Sequence, residues 1–333
     1  VTNELGISLP LAVWLLADNY DYVTGVENYF SVTTLQKPLR QILLPGRIPP
    51  GERKSDVADY IARASGHSFH DAIDRAWTDE QSRTRSLKLL GYPEEVIERI
   101  KVNPTDEERR ASNSIIPVYI EQRMFREIVI DGKTYTIGGK YDMVADGILQ
   151  DTKSTSAWAF AKGTRDDDHI TQMSSYRWLD AASPMPRITE DVGAINYIFT
   201  DWSKAMLRNA GYPQKRVETK QLPLMSLQAT ENWITSKIRL IEKYRDTPEA
   251  ELPECTDEEL WRSAPQYKYF ADPAKATDPN ARSTKNFDDL VEARKFMANE
   301  KGGKGTIVTK PGEVKACGYC AGFDACTQKD RYL

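Results

Sequence analysis

A chain of 333 residues with 40% hydrophobic and 10% aromatic residues carries enough apolar matter for a large domain with appendages, which excludes wholesale disorder. Its 45 basic and 49 acidic residues sum to a net charge of −4, which excludes a globally basic nucleic-acid binder but leaves room for a local basic groove. No run reaches the roughly 20 apolar residues a membrane helix needs. Four cysteines in such a chain read as reduced, metal-bound or buried thiols rather than as disulfides.

In chain order, the apolar stretch Leu9–Leu16 contains Pro10 and lacks a basic lead-in, so it reads poorly as a signal peptide and a soluble intracellular protein is expected. Ser31 or Thr33 is placed to cap a short helix carrying Leu35, and the Pro-rich passage from Pro45 to Pro50 closes that region. Val57, Ile61, Ala64, Phe69, Ile73 and Trp77 recur at helical spacing, with Gly66 expected to break the helix or mark a close packing point. Residues 85–113 read as charged helix bounded by Pro93 and Pro104. Val118–Ile130 and Tyr135–Leu149 are rich in β-branched and aromatic residues, and Asp131-Gly132 between them predicts a hairpin. Asp146-Gly147 is a second turn signal, followed by a short strand at Ile148–Lys153.

His169–Ala182 reads as a helix whose start carries the solvated charges Asp166, Asp167 and Asp168, with His169 grouped among them. Val192–Phe199 reads as a buried strand. An amphipathic helix over about 227–246 places Trp233, Ile234, Ile238, Ile241 and Tyr244 on one side. From Leu252 the chain reads as looser, ending in a Gly- and Lys-rich loop (Lys301–Lys315) and a cysteine cluster. Strands and helices in this order suggest an α/β or α+β core on a mixed sheet.

The strongest chemical signal is Gly138-Gly139-Lys140-Tyr141-Asp142, a turn, then Asp151-Thr152-Lys153. Alternation along a strand puts Asp151 and Lys153 on one face, so that two carboxylates and an ammonium converge. Such a set suits Mg2+ or Mn2+ and a water held for attack; the bland alternative is a solvated strand end with an exposed ion pair. Upstream stand Gly66 and His70 on a helix, with Glu121 opening the hairpin; downstream, Gln172 and Tyr176 lie four apart on a helix.

The order Gly-x-x-x-His, Glu, Gly-x-x-Asp, Asp-x-Lys, Gln-x-x-x-Tyr over residues 60–180 resembles the RecB-like branch of the PD-(D/E)XK nucleases, and Ser31–Leu35 resembles that family's N-terminal segment. The resemblance implies His70, Asp142, Asp151 and the carbonyl of Thr152 as metal ligands, and Lys153 as the catalytic lysine. It implies Gln172 and Tyr176 as DNA- or site-holding residues and Glu121 as support or a second-metal ligand. The plainer readings are core packing for His70, Gln172 and Tyr176, and a strand-edge charge for Glu121. His67 falls outside the Gly-to-His spacing.

Cys317, Cys320 and Cys326 have the spacing of the iron–sulfur members of this family, and with Cys255 they make the complement for a [4Fe–4S] cluster or a structural zinc. Cys255 departs from the pattern, because it follows the nuclease motifs instead of preceding them. Lys268, Lys275, Arg282 and Lys285, among the aromatics of the last third, are either DNA contacts or surface charges over ordinary packing.

The expected fold is an α/β restriction-endonuclease-like mixed central sheet flanked by helices, with a C-terminal cysteine-bearing extension. The expected division is 1–60 helix and loop, 61–250 nuclease core and 251–333 extension. The expected function is metal-dependent exonucleolytic hydrolysis of DNA, in recombination, repair or phage DNA processing in the cytoplasm of a bacterial or phage-infected cell. A recombination or single-strand-binding protein is a further expected partner. The alternatives are a structure-specific endonuclease and a catalytically idle DNA-binding or assembly module. No P-loop motif occurs, so no ATP-driven motor is read on this chain.

Overall fold

The two longest strands come from the two stretches richest in β-branched residues. The computed structural model describes residues 1–18, 20–49, 51, 55–161, 165–278, 280–300 and 303–332. In chain order, α1 (Leu9–Leu16), β1 (Tyr29–Ser31), α2 (Val32–Leu35) and α3 (Leu39–Leu43) lead to α4 (Ile61–Thr78) and α5 (Glu80–Leu89). Then come α6 (Glu94–Ile97), β2 (Ile100–Val102), α7 (Asp106–Ala111), β3 (Ile116–Ile130), β4 (Lys133–Ala145) and β5 (Ile148–Thr155). After α8 (Ala157–Ala161) and α9 (Asp166–Asp180) follow β6 (Val192–Phe199), β7 (Val217–Pro223) and α10 (Leu227–Tyr244). The chain closes with β8 (Gln266–Phe270), β9 (Lys285–Phe287), α11 (Leu290–Asn299) and β10 (Thr306–Lys310).

The fold is α/β, as expected, with a seven-stranded mixed sheet in the order β2-β3-β4-β5-β6-β7 and β1 paired to β4. The β3–β4 hairpin turns at Asp131-Gly132, both with positive φ (52° and 80°), the type I′ geometry that matches strand twist. Helix α9 covers one face of the sheet, where Gly139 and Gly193 leave space for Tyr176 and Met173. Helix α4 lies on the other face, with Ile73 and Trp77 packed on Val118, Ile120 and Met143. No described helix is long and apolar enough to cross a membrane.

The chain packs as two compact units, Val1–Lys37 with Lys54–Glu242, and Pro38–Arg53 with Lys243–Leu333. The first holds the large sheet. The second holds a three-stranded sheet, β10-β8-β9, with Tyr269, Phe287 and Ala293 at its core.

Several expectations are corrected. Gly66 neither breaks α4 nor meets a close neighbour: the helix runs through it, and a Cβ there would face open space. Residues 85–113 are three short helices and β2, because Pro93 and Asn103 (φ 50°) interrupt the run. The second hairpin arm stops at Ala145, since Asp146-Gly147 already turns. The region after Leu252 is organised around the second sheet, and the Lys301–Lys315 loop contains β10; residues 301–302 of it lie outside the described residues.

Candidate active site and cysteine centre

The free side of β4 is shared by two strands that do not meet. β1 pairs with Thr136–Gly138 and β5 with Met143–Ala145, so β4 and β5 diverge beyond Met143. The Asp142 carboxylate fills the head of this split, where its Oδ2 accepts from the Thr152 backbone N–H at 3.1 Å. In an extended strand the N–H and C=O of one residue point the same way, so the Thr152 carbonyl also faces the split.

Opposite Asp142 the β3–β4 ladder is interrupted: Ile120 pairs with Met143 and Gln122 with Tyr141, while Glu121 has a φ of 52°. That left-handed residue upsets strict alternation, so consecutive residues Asp142 and Met143 both address α4, one at His70 and the other at Ile73 and Trp77. A non-glycine residue held in this region stores strain of about 1–3 kcal/mol, and such strain gathers at functional sites. Glu121 therefore stands mid-strand, not at the strand's opening, and is ion-paired with Lys140.

His70 Nδ1 lies 3.1 Å from Asp142 Oδ2, both side chains about a quarter exposed. The hydrogen bond to Asp142 raises the His70 pKa against its burial. Burial opposes ionisation of Asp142, but the bond and charge of His70, then Lys153, hold its carboxyl below the ordinary range. Asp151 is 4% exposed, and its Oδ2 lies 2.7 Å from Lys153 Nζ. Burial pushes its carboxyl up, against the charge and bond of the nearby Lys153 ammonium. Burial disfavours the Lys153 charge too, yet Asp151 and Asp142 together raise its pKa.

Gln172 donates to the Tyr176 hydroxyl at 3.2 Å on the α9 side, and the ring lies over Gly139. Burial pushes the Tyr176 pKa up, with Asp151 and Asp142 adding to it. His70, Asp142, Thr152, Gln150 and Asn196 line a cleft of about 400 Å³.

Two residues of this region escaped sequence reading. Asp74, one turn after His70, lines the same cleft, and burial followed by the charges of Glu121 and Asp142 lifts its pKa to about 6. Its signal was the four-residue spacing from His70 on one helical face. His169 was grouped with the acidic run; it is buried instead, held down to about 4 by burial and then by the Lys153 and Arg165 charges. Helical phase separates it from its exposed neighbours Asp167 and Asp168.

All four cysteines are free thiols within the second unit. Burial, then Glu259 and Cys326, push the Cys255 thiol to about 12; burial, then Cys320 and Cys326, raise Cys317. The thiols thus act on one another electrostatically. Among the described residues no group of three or more His, Cys, Asp or Glu side chains is placed to hold a metal ion. The types of donor present nonetheless suit two different groups: hard carboxylate and carbonyl oxygens with one imidazole for a divalent ion, and four thiols for a cluster or zinc.

No family model matches the chain, and no curated protein matches it. Among solved structures it is similar to the protein SSO0001, at 16% identity and a TM-score of 0.42, over 72% of this chain and 86% of the other. It is also similar to a phage-related exonuclease from Haemophilus somnus 129PT, at 12% identity and a TM-score of 0.26, over 65% of this chain and 95% of the other. At such scores neither likeness bears on function.

Proposed function

We propose that the chain is a divalent-metal-dependent DNA nuclease acting on free ends, with Asp142, Asp151, the Thr152 carbonyl and His70 as metal ligands and Lys153 as the catalytic lysine. The observation that carries this reading is the split between β4 and β5. There Asp142 bonds both His70 and the Thr152 N–H, while Asp151, on the adjacent strand, grips Lys153. A structural ion pair needs neither an imidazole on the first carboxylate nor a freed strand edge beside it.

A divalent ion bound by these oxygens supplies charge that polarises a phosphoryl oxygen and acidifies water. The chain's own groups do the rest. Asp151, tied to Lys153, keeps the ammonium charged and aimed into the split, where it orients a water and offsets charge building on the phosphoryl oxygens. Gln172 donates to the buried Tyr176 hydroxyl, which stays protonated and holds the α9 side of the site in place. Lys140 and Arg123, two strand positions from the site, are held by Glu121 and Asp21, so a DNA phosphate would have to compete with those carboxylates for them. Recombination, repair or phage DNA processing is the context that suits such an activity.

The test compares end-labelled linear DNA with closed circular DNA, in Mg2+ or Mn2+, for the wild type and Lys153→Ala. Loss of linear DNA alone, slowed about a thousandfold in the variant, is expected. Cutting of the circle makes the protein an endonuclease. Inertness of metal-loaded wild type on both substrates makes it a binding module.

A further inference from the structure

Arg40 is an expensive residue to bury. At 4% exposure its guanidinium is cut off from water, and burying such a charge is repaid only when every N–H finds a partner. Every one does. Nε donates to the Pro253 carbonyl at 3.0 Å, and Nη2 donates to the carbonyls of Glu249 at 3.2 Å and Leu252 at 3.0 Å. Nη1 donates to the Glu249 carboxylate and, at 3.5 Å, to Cys326 Sγ.

Four of these acceptors are oxygens of residues 249–253, the stretch that runs directly into Cys255. The fifth is the sulfur of Cys326. One planar fork therefore grips the approach to one cysteine and touches another, a task that neither lysine nor an apolar residue performs. The surroundings strengthen the tie. Gln328 makes a two-way bond with the Cys255 backbone, both at 2.9 Å, and the Glu249 carboxylate accepts from the Thr327 N–H at 3.0 Å.

Resting on the reading of the four cysteines as cluster ligands, we propose that Arg40 is the positioning and tuning residue of a [4Fe–4S] centre. It spaces Cys255 and Cys326, and it raises the cluster's reduction potential. One-electron reduction by dithionite adds a negative charge that spreads onto the thiolates. A fixed guanidinium with an N–H···S bond to one of them stabilises the reduced form more than the oxidised form.

The experiment is anaerobic reconstitution of the full chain with iron and sulfide. Iron content, release to a chelator and the potential from a dithionite titration are then measured for wild type, Arg40→Lys and Arg40→Gln. The expected result is a potential lowered in Arg40→Gln, lowered less in Arg40→Lys, and faster iron loss in both. Because Arg40→Gln removes a buried pin, a second measurement uses unmutated protein. With ¹⁵N-guanidinium arginine, pulsed EPR of the reduced cluster is expected to show a weakly coupled ¹⁵N. Arg331, whose charge also acts on Cys326 but which is exposed and paired with Glu254, is the control: the coupling persists in Arg331→Gln.

Wild type that holds no iron, or takes zinc in preference, overturns the cluster reading and this proposal together. Wild type that loads a cluster, but shows no ¹⁵N coupling or the same potential in Arg40→Gln, overturns the role of Arg40 alone.

Discussion

At Asp74 the cleft acts on a single proton. Its carboxyl titrates near 6 in the folded chain and near 3.8 when unfolded, because burial and the Glu121 and Asp142 charges disfavour its ionised form. The folded state therefore binds the extra proton between these values, and Asp74 makes the protein less stable as pH rises through that window. Below about pH 4 both states are protonated and the effect vanishes. Asp74→Asn is thus expected to stabilise the metal-free protein above pH 6, by about 1 kcal/mol once solvent screening of this half-exposed group is discounted. Melting temperatures in excess chelator at pH 4 and pH 7 check this: the two proteins converge at the lower pH and separate at the higher. A gap of equal size at both would mean that Asp74 acts through packing, not charge. Glu121 contributes through its backbone as well: its left-handed φ interrupts the ladder opposite Asp142.

Among the elements, β4 carries the most function in the fewest residues. Gly139 allows the strand to approach α9, since a Cβ there would stand 2.6 Å from the Tyr176 ring and 3.1 Å from Leu179. Gly139→Val is expected to cost about 2–3 kcal/mol through overpacking and to displace Tyr176 from the carboxylates. Denaturant unfolding reads the first effect and DNA affinity the second; an unchanged midpoint would show that α9 shifts freely. How far this architecture is legible in the residues depends on element length. Strands β3, β4, β5 and β6 announce themselves by long β-branched runs and by two Asp-Gly turns. β2 has only Ile100-Lys101-Val102, and β8 mixes Gln266 and Lys268 with aromatics, so neither offers a period long enough to separate from a loop or helix. His70, Asp142, Asp151 and Lys153 are readable as an ordered set; the fold places His70 and Asp142 in the cleft and pairs Asp151 with Lys153 on the adjacent strand. The strained φ of Glu121 left no trace, because nothing in a glutamate's neighbours signals a left-handed backbone.

Over the whole molecule, chain order and packing disagree, because residues 38–53 belong with the last 91 residues and not with the segments that flank them. Each unit has its own apolar core, one under the large sheet and one around Tyr269, Phe287 and Ala293. Two cores imply that unfolding need not be a single transition. The second unit holds all four cysteines, so a metal centre built on them would add to its stability. Its thiols form no disulfide, and the proposed cluster would act as its staple. Calorimetry of the reconstituted protein is therefore expected to show two transitions. Cys320→Ser should lower one of them by about 10 °C or more while leaving the other in place. Lys153→Ala, in the first unit, should not move the transition that Cys320→Ser moves. If Cys320→Ser instead shifts a single peak, the two units unfold as one cooperative body. If it shifts nothing, the cysteines hold no staple, and the stability of the second unit comes from its apolar core and from hydrogen bonds such as those of Arg40 and Gln328.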